Sequence, residues 1–236
     1  MPFDKHGSPT VWSGFFKGVA NALPLQIATV PFGVIFGALA IDAGLSLGET
    51  MAMTSIVVAG AAQLVALQML VDNAPAWLIV FTAAFVNLRM AIYSASLAVH
   101  WEGVGPWPRV LAAWFLNDQS YALSVRRYVE RREPRAARVG FFFGVGTCCL
   151  SCWLSACLFG ALLGAHLPGS WPTDFAVPVV FISLVAPWLR TWPNAATAVV
   201  AGALSVALAG WANGFGVVVA MIAGIVVGMG MERYKP

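Results

Sequence analysis

Long apolar runs, cut by short clusters of glycine, proline, asparagine and aspartate, dominate this chain. Stretches without Asp, Glu, Lys or Arg extend over 18–41, 50–71, 139–173, 175–189 and 191–231. A helix crossing the hydrocarbon core needs about 20 predominantly apolar residues, and several of these runs exceed that length. The pattern predicts about eight transmembrane helices, over 14–41, 49–71, 76–100, 107–127, 138–165, 174–190, 194–210 and 214–231. The breaks between them carry the glycine, proline and asparagine punctuation of turns. The sixth is short and bounded by Pro178 and Pro187, so it reads either as a span or as a re-entrant segment.

Composition removes the soluble alternatives. The chain has 236 residues, 60% of them hydrophobic and only 10% charged, with a mean hydropathy of +0.81. Soluble domains carry about 25% charged residues. The expected fold class is an all-α integral membrane protein, a polytopic helical bundle with both termini cytoplasmic. Residues 1–13 form a short cytoplasmic segment, 14–231 a single transmembrane domain with a basic loop at about 126–138, and 232–236 a cytoplasmic tail. The opening MPFDKHGSPTVWSGFFKG lacks the pattern of a removable signal peptide.

Cationic residues test the topology, because they concentrate in cytoplasmic loops. Eight spans with the N-terminus inside place Lys5, Lys17, Arg126, Arg127, Arg131, Arg132, Arg135, Arg138, Arg190, Arg233 and Lys235 in the cytoplasm. Arg109 alone falls outside, and Arg89 lies within a helix. The basic run is an orientation signal that also meets anionic lipid headgroups. Eight of the tryptophans fall at predicted helix ends, as amphipathic rings prefer, while Trp114 and Trp153 lie deeper.

Two lone charges interrupt this picture. Arg89 is the only charge between Asp72 and Glu102, and Asp118 the only one between Arg109 and Arg126. A charge at the centre of a lipid-spanning helix costs about 2.5–3.5 kcal/mol on insertion scales, so such residues face a protein interior or a watery cavity. Both lie near the middle of their segments. If the third and fourth helices are antiparallel neighbours, the two charges share a depth, where they meet each other or a bridging substrate. Thr82, Arg89, Tyr93, Ser96 and His100 form one polar stripe at helical spacing, with Asn87 and Ser94 on a neighbouring face. Asn117, Asp118 and Tyr121 cluster on the fourth helix, and Gln63 and Gln68 follow a small-residue patch on the second.

The first helix contains Pro24 and Pro31, followed by Gly33 and Gly37. Proline removes a backbone donor and clashes with the preceding turn, so this helix is expected to be broken. Discontinuous helices build substrate sites in secondary transporters. Other chemistries lack their residues. Cys148, Cys149, Cys152 and Cys157 sit in an apolar helix and read as small hydrophobes. No metal or cofactor site is expected, no P-loop is present, and neither a second deep aspartate nor a deep histidine supports an enzyme.

The segments NALPLQIATVPFGVIFGALA, AGAAQLVALQML, VNLRMAIYSASLA and LNDQSYAL together resemble AzlC-type proteins, the large subunits of two-component branched-chain amino acid exporters of the LIV-E type. The likeness covers about Gly14 to Val125; the later helices match by hydropathy. It implies export of valine, leucine and isoleucine, with methionine as a further candidate, across the bacterial inner membrane. It also implies a separate small AzlD-type membrane subunit. The positions matching its polar motifs are Pro31, Gly33, Gln63, Asn87, Arg89 and Asp118; Tyr93 and Asn117 join them as substrate-binding candidates from the faces above. Arg89 or amides at the helix break suit a carboxylate, and Asp118 or Asn117 an ammonium group, with Asp118 also the candidate for proton coupling. Besides lipid, no other macromolecule such as nucleic acid is implied. Two other functions use the same features: a channel for another small solute, and a scaffold whose partner carries transport.

Overall fold

The computed structural model describes residues 10–131, 133–164, 189, 191–208 and 215–233. Among these residues every regular element is a helix. They are α1 (Val11–Ala22), a 3-10 turn at Leu23–Leu25, α2 (Gln26–Asp42), α3 (Leu47–Ile56), α4 (Gly60–Val71), α5 (Ala76–Val86) and α6 (Leu88–Ala98). After a second 3-10 turn at Val99–Trp101 come α7 (Pro106–Phe115), α8 (Asp118–Glu130), α9 (Arg135–Gly164), α10 (Trp192–Ala207) and α11 (Phe215–Arg233). The chain divides into two compact units, Met1–Gln63 with Ala84–Gly169, and Leu64–Ala83 with Ser170–Pro236.

Three stretches are long and apolar enough to cross a membrane: Val11–Asp42, Ala76–Trp101 and Arg135–Gly164. The break expected in the first is present, and it falls at Pro24, inside the 3-10 turn, whereas Pro31 is carried within α2. The second stretch is interrupted at Asn87. The third, α9, is continuous and the most enclosed.

The first and third stretches run parallel. Gly14 lies on Ala137, Gly18 on Phe141, Gly33 on Ala156 and Gly37 on Cys157. Their backbones touch: a Cβ at Gly37 would strike the Cys157 carbonyl oxygen, and one at Gly144 the Phe15 carbonyl oxygen. Close approach through small residues is how helices associate where lipid removes the hydrophobic drive.

Two of the expected spans take another form. The segment 49–71 consists of α3 and α4 joined at Val57–Ala59. Thr54 of α3 lies against Cys157, Gly60 lies against Phe32 and Trp153, and the Gln63 amide reaches back to the Met53 carbonyl (3.3 Å) and Thr54 Oγ1 (3.4 Å). The chain thus turns back on itself. The segment 107–127 is likewise two short helices, α7 and α8, interrupted at Leu116–Asn117. Arg109 donates to the Trp101 carbonyl (2.6 Å), His100 packs on Tyr128, and Tyr128 donates to the Arg138 carbonyl (2.7 Å). Leu97, Trp101, Ala112, Leu116, Tyr128 and Phe142 share one core cluster.

The start of α7 and the end of α8 therefore lie together, beside the start of α9. Arg135, at that start, donates to the Gly103 carbonyl (3.3 Å). This corrects two expectations. The segment 107–127 is a helical hairpin instead of a span, and Arg109 joins the arginine-rich end of its unit instead of standing alone opposite. The third and fourth segments also meet differently, since α6 and α8 run parallel: Arg89 faces Asp118, Tyr93 faces Tyr121 and His100 faces Tyr128. The physical reason is length. Ten to thirteen residues of helix reach about 15–20 Å at 1.5 Å per residue, half a bilayer core, and two such halves have the composition of one span.

The ends of the hairpins meet. The Trp114 indole, in the last turn of α7, donates to the Ser55 carbonyl in the last turn of α3 (3.1 Å). In the second unit α10 and α11 pack antiparallel, with Gly216 on Leu208 and Gly228 on Thr197, and Met69, Leu78 and Val218 form a core. The sixth expected helix, 174–190, lies almost wholly outside the described residues.

Candidate functional site

Two helix beginnings build the site. At α8, Asn117 is the N-cap: its side-chain oxygen accepts from the backbone N–H groups of Gln119 (3.1 Å) and Ser120 (2.9 Å). Ser120 Oγ in turn accepts from the Asn117 N–H (2.9 Å), completing a reciprocal capping box. Asp118 is the first residue of α8, where the positive end of the helix dipole favours a carboxylate. At α6, Asn87 is the cap position and Arg89 the second helical residue. Because α6 and α8 are parallel, both positive ends lie side by side, and Arg89 adds a full charge.

Arg89 Nη1 stands 3.2 Å from Asp118 Oδ2, with side chains 35% and 51% exposed within the described chain. The ion pair offsets the cost of each charge in a membrane while leaving both reachable. Arg89 Nε and Asn87 Oδ1 are buried without a hydrogen-bond partner among the described residues. One is a donor and the other an acceptor, two residues apart. Tyr93 lies close enough to Asp118 and Arg89 to interact with both electrostatically. It stacks on Tyr121 at 4.2 Å between ring centroids and 7° between planes, and Tyr121 hydrogen-bonds Ser96 Oγ (3.1 Å).

Beside the pair lies a polar cluster that the sequence reading did not single out. Gln119 Nε2 donates to Thr29 Oγ1 (2.6 Å), while Gln119 Oε1 accepts from Gln26 Nε2 (2.9 Å) and Cys149 Sγ (2.8 Å). Gln26 is buried and also donates to the Ala22 carbonyl (3.1 Å). One signal was available: Gln26 and Thr29 sit three residues apart just after Pro24, on one face of the helix that the break begins. Cys149 is thus more than the small apolar filler expected of it.

Arg89, Tyr93, Asn117 and Asp118 come together, with Asn87 at the break two residues before Arg89. The other candidates engage elsewhere. Pro31 is exposed within α2, Gly33 packs under Trp153 and Ala156, and Gln63 is fully buried at the α3–α4 turn. Phe36 is buried in the core, stacked on Trp153. Among the described residues no group of three or more His, Cys, Asp or Glu side chains could hold a metal ion.

Residues 24–167 match the AzlC protein family. The chain belongs to the AzlC family. An AzlC relative from Escherichia coli (strain K12), the inner membrane protein YgaZ, is 29% identical over 222 residues, covering 91% of this chain and 87% of that protein. An uncharacterized membrane protein of Helicobacter pylori (strain 26695) is 27% identical, covering 72% of this chain and 75% of its own. One from Archaeoglobus fulgidus is 27% identical, covering 75% and 76%. No solved structure matches the chain. This AzlC chain is a multi-pass protein of the inner membrane, and its family points to a transport-related role.

Proposed function

We propose that this chain is the large subunit of a secondary transporter that exports branched-chain amino acids from the cytoplasm, working with a small AzlD-type membrane subunit. The observation that carries the reading is the Arg89–Asp118 pair at two parallel helix beginnings. A branched-chain amino acid is a zwitterion with an apolar side chain. Its carboxylate meets Arg89 and the positive helix ends, the device by which half-helices hold substrate carboxylates in secondary transporters. Its ammonium group meets Asp118 and Asn87 Oδ1, and its apolar side chain lies along Tyr93 and Tyr121. Binding opens the Arg89–Asp118 pair, and a proton taken from outside neutralises Asp118 after the amino acid leaves, so export runs against proton entry.

The architecture supports transport over a scaffold role. A broken helix followed by a helical hairpin occurs twice, as α1–α2 with α3–α4 and as α5–α6 with α7–α8. The two copies run in opposite senses: α2 is parallel to α9, whereas α6, parallel to α8, is antiparallel to it. Inverted repeats with broken helices are a recurrent transporter plan. With Arg109 beside the arginine-rich loop, the positive-inside rule assigns that end to the cytoplasm.

Inverted membrane vesicles holding both subunits test the proposal. Radiolabelled valine, leucine and isoleucine are predicted to accumulate when the lumen is made acidic, and a protonophore is predicted to abolish accumulation. Flux that does not saturate, or that ignores stereochemistry, would favour a channel.

A further inference from the structure

Asp118 begins a helix whose preceding residues, Leu116 and Asn117, are outside any helix. Its placement therefore depends on what anchors the first turn of α8. Asn117 organises that turn and ties it back to the end of α7, where its Nδ2 donates to the Phe115 carbonyl (3.4 Å). The adjacent Gln119 makes the outward contacts. Its amide reaches Thr29 and Gln26 of α2 and Cys149 of α9 through three hydrogen bonds of 2.6–2.9 Å.

The other ends of those contacts lie at the break of the first helix. Thr29 Oγ1 donates to the Leu25 carbonyl (3.2 Å), and Gln26 Nε2 donates to the Ala22 carbonyl (3.1 Å). In a membrane an unsatisfied backbone group has no water to bond, so a break persists where side chains take up its carbonyls. Thr29 and Gln26 serve these carbonyls and bond Gln119 as well. The cluster consequently fixes two interruptions to one another, the 3-10 turn of the first helix and the start of α8.

We propose that Gln119 is a positioning residue: its amide, donating to Thr29 while accepting from Gln26 and Cys149, holds the start of α8 against α2 and α9 so that Asp118 faces Arg89. This rests on reading Arg89 and Asp118 as the substrate and proton site. The amide is used as donor and acceptor at once, a combination that leucine lacks and that a carboxylic acid regains only when protonated.

Two measurements test the inference, each on the full chain with its small subunit in inverted vesicles. In the first, Gln119→Leu is predicted to lower the maximal rate of acid-driven leucine uptake roughly ten- to a hundredfold, the scale of a catalytic group displaced by about 1 Å. Gln119→Glu is predicted to recover toward wild type as pH falls, when both are compared at the same pH. A wild-type rate in Gln119→Leu, or a Gln119→Glu rate that stays a constant fraction of wild type at every pH, would overturn the proposal. If Gln119→Leu does not fold, the pH series of Gln119→Glu decides.

The second measurement needs no transport. The reaction rate of Asp118→Cys with a charged methanethiosulfonate reagent is predicted to change at least about threefold when Gln119→Glu is added at neutral pH, where the acid cannot donate to Thr29, and to return on acidification once pH-matched Asp118→Cys controls are divided out. A ratio of one at all pH values overturns the positioning role even if leucine proves not to be a substrate. Conversely, no leucine uptake by the wild type together with a changed ratio overturns the transport reading alone.

Discussion

Arg89 and Asp118 show how a chain keeps two charges in apolar segments: each is placed at a helix beginning, and each is the other's partner at 3.2 Å. That each needs a partner was legible from isolation alone, because a charge without neighbours in an apolar run is costly. The parallel approach of their helices was not legible, since depth counted along a segment is the same whether the segment crosses or turns back. Arg89→Lys is predicted to reduce export at least about tenfold while leaving the chain folded, because lysine keeps the charge but lacks the planar fork that holds a carboxylate. Vesicle uptake and thermal melting of the purified protein, measured side by side, check this. Asn117→Ala removes the N-cap and is predicted to cost about 1 kcal/mol of stability, seen as a lowered melting temperature.

At the scale of elements, the long helices followed from hydropathy and the hairpins did not. An apolar run of some twenty residues has one composition whether it forms a single helix or two halves. The information lay in finer signals. Asn117-x-x-Ser120 is a helix-start pattern inside a supposed helix, Gly60 sits in a small-residue patch in the middle of another, and Arg109 was the one cation on the wrong side. The hairpin predicts a topology that labelling can read. Cysteines introduced as Val104→Cys and Glu130→Cys, in a protein whose native cysteines are blocked or buried, are expected to react with an impermeant maleimide from the same side of the membrane. Reaction from opposite sides would restore the spanning helix. The parallel packing of the first and third stretches predicts a steric effect too. Gly144→Leu drives a side chain into the Phe15 carbonyl and is predicted to destabilise by more than the roughly 1–3 kcal/mol typical of overpacking, because backbone cannot move aside as a side chain can. Melting of the detergent-solubilised protein measures it.

For the whole molecule, three membrane-length stretches, two of them interrupted, and two hairpins replace the first five expected spans, and the AzlC family assignment stands on both sequence and similarity. Four polar-bearing motifs carried that assignment, and the match over residues 24–167 covers all of them except the opening three residues of the first. The Gln26–Gln119–Cys149 cluster escaped the sequence because its members lie more than twenty residues apart and only the fold assembles them. What unites the parts is the claim that Asp118 couples amino acid export to proton entry. Acid-driven uptake and leucine–leucine exchange, measured in the same vesicles for wild type and Asp118→Asn, test it most directly. The account predicts that the variant loses gradient-driven accumulation and retains exchange; accumulation at the wild-type level would contradict it.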